Sequence, residues 1–136
     1  MADEQAQSTT SDAKMAPPLQ EAVIRRVSEL PEWRSVCGQR RDMLATGESP
    51  YASLHYMRIG GSVRHYHKQT TEFYFVAHGK GHMELDGEWS EIQAGDLIVV
   101  PPNTWHTSKP ADDSELHVLI IAAPPEAMAH GDCYFE

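Results

Sequence analysis

The sequence predicts an all-β fold, a sandwich or a barrel. Three observations carry this. From Tyr51 onward the chain breaks into short runs of strand-forming residues, turn signals separate the runs at regular intervals, and no helix-period stretch intervenes before Ala122. Tyr51–Ile59 alternates apolar and polar residues and stops at Gly60-Gly61. Ser62–Lys68 follows and ends at Gln69-Thr70-Thr71, and the aromatic run Glu72–Ala77 ends near Gly79. His82–Leu85 meets Asp86-Gly87, a hairpin signal because both positions tolerate positive φ, and Glu88–Ile92 returns from it. Gly95-Asp96 turns again into Leu97–Val100, which runs into Pro101-Pro102. Trp105–Ser108 and Leu116–Ala122 complete the set.

Before Tyr51 the texture differs. Residues 1–20 mix Ser, Thr, Gln, Asp and Ala without period and close on Pro17-Pro18, as a disordered tail does. Leu19–Leu30 could place Ala22, Val23, Val27 and Leu30 on one face of a short amphipathic helix ended by Pro31, or it could be an irregular arm packed on the domain. Residues 32–50 suggest no element. The chain of 136 residues suits one domain, residues 21–136, behind this tail.

Composition narrows the function. The 20 acidic residues outnumber the 11 basic ones, giving a formal charge of −9, which speaks against nucleic acid and against a polybasic membrane contact. The longest apolar runs, near Leu97–Val100 and Leu119–Ala123, are far short of the roughly 20 residues of a membrane-spanning helix. The first 14 residues lack the apolar core of a secretory signal, and Cys37 and Cys133 have no zinc or redox spacing. A cytoplasmic protein with two reduced thiols is expected.

Eight histidines are many for this length, and their placement matters more than their number. On a strand, His65 and His67 point to one face. The four residues Lys68–Thr71 turn the chain back, and an antiparallel neighbour would bring Glu72 within reach of both rings. Further on, the turn at Pro101-Pro102-Asn103-Thr104 delivers His106 as a third nitrogen. Each residue alone reads as an ordinary surface group. Together they supply three neutral nitrogens and one anion, the donor set of a borderline divalent metal. His55, His78, His82, His117 and His130 show no such arrangement and read as surface or satisfied core residues.

The spacing resembles that of the cupin superfamily over roughly residues 50–123. His65, His67, Glu72 and Gly79 fit its first motif, and Gly95, Pro101 and His106 fit its second, with Lys80–Ala94 between them. Three positions depart. The leading glycine would fall at Ile59, whereas Gly60 and Gly61 lie just beyond it. Asn103 replaces a glycine, and Pro110 replaces a final asparagine. Asn visits the left-handed region most readily of the other residues, and none of the three is a metal contact.

The resemblance implies an antiparallel jelly-roll β-barrel holding one divalent transition ion (Fe, Mn, Ni, Zn, Co or Cu) by His65, His67, Glu72 and His106. It also implies open coordination positions and a homodimer. Strand parity then turns Tyr74 and Val76 inward and Phe73 and Phe75 outward, onto a surface expected to be covered by the N-terminal arm or a second subunit. The expected function is an enzyme acting on a small polar organic molecule, with dioxygenase chemistry placed ahead of Lewis-acid isomerase, epimerase, lyase or cyclase chemistry. A metabolite-sensing module is the non-catalytic alternative. Glu72 and Tyr74 are the candidate catalytic groups, and Trp105 the candidate wall of the pocket mouth. A phosphorylated substrate would want a buried Arg or Lys, and the candidates Arg58 and Lys68 are not placed inward by parity, which disfavours it.

Overall fold

The computed structural model describes residues 15–136 and, before them, the backbone pair Gln5–Ala6 (β1). The remaining strands are β2 (Trp33–Arg34), β3 (Gly38–Leu44), β4 (Ser53–Ile59), β5 (His65–Tyr66), β6 (Thr71–Leu85), β7 (Glu88–Gln93), β8 (Leu97–Val100), β9 (His106–Pro110), β10 (Leu116–Ala123) and β11 (Tyr134–Phe135). One short helix, α1 (Pro125–Ala129), lies between the last two. All pairings are antiparallel. The strand order is β1-β11-β5-β9-β6-β10-β4-β3-β2, with β7 and β8 also bonded to β6. The sheet curls on itself as a cupin-like jelly roll, so its inner face becomes the core.

The strand β6 holds the two halves together. Its first half pairs with β8 and β10, and its second half with β7 and β9. Two separate runs were expected here, interrupted at Gly79. Gly79 instead lies within one 15-residue strand, next to a register shift between His117 and Val118 on β10. Gly79 has φ +82°, and a side chain there would run into the backbone carbonyl of Glu115. Only glycine permits both the conformation and that approach. At the end of β6, Asp86 (φ 49°) and Gly87 (φ 92°) make the expected hairpin into β7.

The core follows strand alternation. Leu116, Val118, Ile120 and Ala122 of β10 point inward, and they pack with Met57, Ile59, Tyr74, Val76, Met83 and Val100. Tyr74 and Val76 are buried as parity requires, while Phe75 is 44% exposed beside Leu97 at 62% and Val99 at 45%. No helix forms over residues 19–30. The segment is an extended arm with a single 3-10 turn at Val27–Glu29, and Ile24 is 89% exposed. Polar contacts dock it: Arg25 makes a two-pronged pair with Glu48 at 2.7 and 2.8 Å and donates to the Met43 carbonyl. Of the expected tail, residues 1–14 lie outside the described residues apart from the Gln5–Ala6 backbone. Ala16 and Leu19 donate to the carbonyls of Thr46 and Glu48.

Candidate metal centre

The site begins with the pairing of two short strands. His65 on β5 lies directly opposite His106 on β9, and their ring centroids are 4.3 Å apart. His67 follows just past β5, 5.0 Å from the His65 ring and 5.3 Å from the His106 ring. Glu72 does not come from an antiparallel neighbour of β5 as expected, because β5 pairs with β9 and β11. It projects from the start of β6, where that strand pairs with β8 and β10, and reaches the histidines across the interior of the roll. Its Oε1 sits 3.1 Å from Nε2 of His67 and 3.1 Å from Nε2 of His106. One ligand atom from each of the four residues falls within 4.8 Å of the others, and all four residues are buried.

The far nitrogen of each ring fixes the direction of the near one. Nδ1 of His65 meets the Val63 carbonyl at 2.6 Å, that of His67 the Asp132 carbonyl at 2.6 Å, and that of His106 the Thr104 carbonyl at 2.8 Å. A carbonyl only accepts, so each Nδ1 carries a proton and each Nε2 is the nitrogen turned to the cluster. This is how histidines are oriented for a metal, and three neutral nitrogens with a carboxylate suit a borderline divalent ion. His65, His67, Glu72 and His106 are therefore the residues that would hold one.

Electrostatics lead the same way. Burial, with the two neighbouring rings, pushes His65 down to about 3. Burial also opposes charge on His67, but Glu72 overrides it and lifts His67 to about 11. Glu72 is itself held well below the usual carboxylate range: burial opposes its charge, and His67 and His106 outweigh burial. The free cluster thus keeps one proton between His67 and Glu72, the place where a cation would sit.

Sequence spacing missed Asp132, which organises the turn between His67 and Glu72. Its carboxylate accepts from the backbone N–H groups of Lys68, Gln69 and Thr70 at 2.7 to 2.9 Å and from the Thr70 hydroxyl at 2.8 Å. The same residue's carbonyl holds His67. Asn103, at φ 67°, donates its N–H to the His67 carbonyl at 2.6 Å, so the turn before His106 docks directly on the first motif. Asn103 thus supplies the left-handed residue that glycine supplies elsewhere.

A cavity of about 40 Å³ opens beside His65 and Glu72. Its other walls include Arg40, His55, Met128 and Cys133. Arg58 and Lys68 point away from it as expected. Arg58 lies 3.8 Å from Glu32, and Lys68 lies over the Tyr134 ring. Arg40, from the stretch that suggested no strand, corrects the reading that no basic side chain turns inward. It is 7% exposed and its Nε donates to Asp42 at 2.7 Å. Tyr74 sits edge-on to His106 with its hydroxyl against the Cys37 thiol, and burial raises it well above the usual phenol range. Trp105 is not a cavity wall. It packs on Tyr66, which alternates with the clustered His65 and His67, and carries Arg64 over its ring at 4.7 Å.

A family model described as the cupin domain matches residues 54–122, half of the chain, and spans all four candidate ligands. The chain belongs to the cupin family. Among relatives, this cupin is 36% identical over 61 residues to an uncharacterised protein of Methanocaldococcus jannaschii, covering 45% of the chain and 49% of the relative. It is 30% identical over 88 residues to the polyketide synthase CurC of Streptomyces cyaneus, covering 62% of the chain and 57% of CurC. The chain thus spans about half the length of these relatives. Two solved structures resemble it in fold. The Streptomyces nucleoside dehydratase Pac13 has TM-score 0.64 and 21% identity, with 76% of this chain and 83% of that chain covered. The polyketide cyclase RemF of Streptomyces resistomycificus has TM-score 0.68 and 14% identity, with 76% and 80% covered.

Proposed function

We propose that this cupin is a metal-dependent enzyme that acts on a small polar organic molecule by Lewis-acid chemistry, of the lyase, cyclase or isomerase kind. The observation that carries it is the set of three Nε2 atoms and the Glu72 carboxylate gathered at one buried point, with every Nδ1 already committed to a carbonyl. An ion bound there would polarise a carbonyl or hydroxyl of the bound molecule. The chain's own residues would orient that molecule in the cavity beside His65 and Glu72 and keep bulk water out. The names of the structural neighbours, a dehydratase and a cyclase, describe rearrangements that consume no oxidant, and this supports the Lewis-acid reading over an oxygenase.

The narrow cavity favours a second reading, since about 40 Å³ suits a diatomic ligand as well as part of an organic one. Dioxygenase chemistry therefore stays as the alternative. Elemental analysis of the purified chain, followed by product and oxygen-uptake measurements over small diketones, phenols and hydroxy acids, separates the two. Turnover without oxygen consumption supports the proposal, and stoichiometric uptake moves the assignment to a dioxygenase.

We also propose a homodimer. The exposed apolar face of Phe75, Leu97 and Val99 is unoccupied by the arm among the described residues and suits a second copy of the chain. A cytoplasmic setting completes the proposal, in keeping with the two buried thiols Cys37 and Cys133.

A further inference from the structure

The wall of the cavity that bears no metal ligand holds a polar assembly from β3 and β4. Asp42 and His55 lie directly opposite each other in the ladder, and the register slips immediately after, between Asp42 and Leu44. Nδ1 of His55 donates to Asp42 Oδ1 at 3.0 Å, and the same oxygen accepts from Arg40 Nε at 2.7 Å. Asp42 Oδ2 accepts from Trp33 Nε1 at 3.2 Å. The carboxylate is thus fixed from three sides. His55 is 6% exposed and lines the same cavity as His65 and Glu72. Its Nε2 accepts a hydrogen bond from Ser53 Oγ at 3.0 Å.

A histidine that merely fills a core needs one acceptor, and a backbone carbonyl serves. A carboxylate does more: it fixes the tautomer and stabilises the imidazolium that forms when Nε2 takes a proton. We propose that His55 is the proton-transfer residue of this cavity, that Asp42 is its positioning residue, and that the molecule bound there carries an acidic proton beside a carbonyl. The inference rests on the metal-enzyme reading above and deepens it.

In the step, the Ser53 hydroxyl turns off Nε2, the C–H bond beside the carbonyl breaks and its proton passes to Nε2. The electron pair moves into the carbonyl group. The pair then swings back, and the imidazolium returns the proton either to the other face of the same carbon, which epimerises the molecule, or to a hydroxyl leaving the next carbon as a carbon–carbon double bond forms, which departs as water. Burial lowers the affinity of His55 for a proton, and the hydrogen bond from Asp42 opposes that. The charged and titratable groups around it are Arg40 and Asp42 on β3, Cys37 just before β3, His65 on β5, Glu72 on β6, and Cys133 after α1.

The test uses the full chain loaded with zinc, in deuterium oxide, with hydroxyacetone and pyruvate as probes. Proton NMR follows loss of their carbon-bound protons, and nitrogen NMR reads the His55 ring. The wild-type ring is expected to carry its proton on Nδ1 with Nε2 bare at neutral pH. His55→Gln should slow exchange by about 100-fold or more at unchanged zinc stoichiometry. Asp42→Asn should slow it less, displace its pH profile and shift the His55 titration. Failure of the wild type to bind zinc overturns the metal reading and this inference with it. Bound zinc with no exchange above the zinc-free rate, exchange indifferent to His55→Gln, or a proton resting on Nε2 overturns this inference alone.

Discussion

At the scale of single residues, the site depends on groups that set the ligands as much as on the ligands. Asp132 anchors the His67–Glu72 turn through its carboxylate and His67 through its carbonyl. Asp132→Ala leaves three backbone N–H groups, the buried one of Thr70 among them, without their acceptor and should cost about 2–4 kcal/mol in denaturant unfolding. Metal affinity, measured against a competing chelator, should fall about 10- to 100-fold. Protonation gives a second expectation. The free cluster holds a proton on His67, raised to about 11 by Glu72, and a bound cation must displace it. Affinity should therefore weaken as pH falls, by about tenfold per pH unit for each proton displaced, and titration calorimetry in buffers of different ionisation enthalpy counts the protons released. The cluster was legible in the sequence because His65, His67 and Glu72 sit at short fixed spacings about one turn and the Gly95 and Pro101 signals lead to His106. Asp132 and His55 were not legible. Asp132 meets His67 from 65 positions away, and Asp42 meets His55 only once β3 and β4 pair.

At the scale of elements, β6 carries the architecture, because it passes from one half of the roll to the other at Gly79. Gly79→Ala places a side chain at φ +82° against the Glu115 carbonyl. The variant should lose about 2 kcal/mol or more in chemical unfolding, or force the β6–β10 bulge to rearrange, visible as lost amide-exchange protection along β10. The strands after Tyr51 were readable because Gly, Pro and Asp-Gly signals bracket them and one face of each is apolar. β3 was not readable, for a physical reason. Its inward positions include Arg40, which faces a polar cavity, so the usual alternation of apolar and polar residues is missing. The helical pattern at residues 19–30 misled in the opposite sense. A stretch that short, rich in Val, gains little by coiling alone, and Arg25 and Arg41 tie it down extended through Glu48, Met43 and Val27.

At the scale of the whole molecule, the closed curl of the sheet buries the candidate metal ligands while leaving one outer face apolar. Parity anticipated that face, and the closing of the fold by its C-terminal segment went unread because α1 and β11 carry no strong periodic signal. Leu97→Glu puts a charge at the centre of the Phe75, Leu97 and Val99 patch. Sedimentation should find the wild type dimeric and this variant monomeric, with metal content unchanged since Leu97 is remote from the cavity walls. A wild type that sediments as a monomer contradicts the proposed dimer. The central claim is that one divalent ion sits among His65, His67, Glu72 and His106. Crystal diffraction at the absorption edge of the ion found by elemental analysis tests it most directly. The account predicts a single anomalous peak about 2.0–2.2 Å from three Nε2 atoms and a Glu72 oxygen. A metal-soaked crystal with no peak there, or with its peak held by other residues, would contradict it.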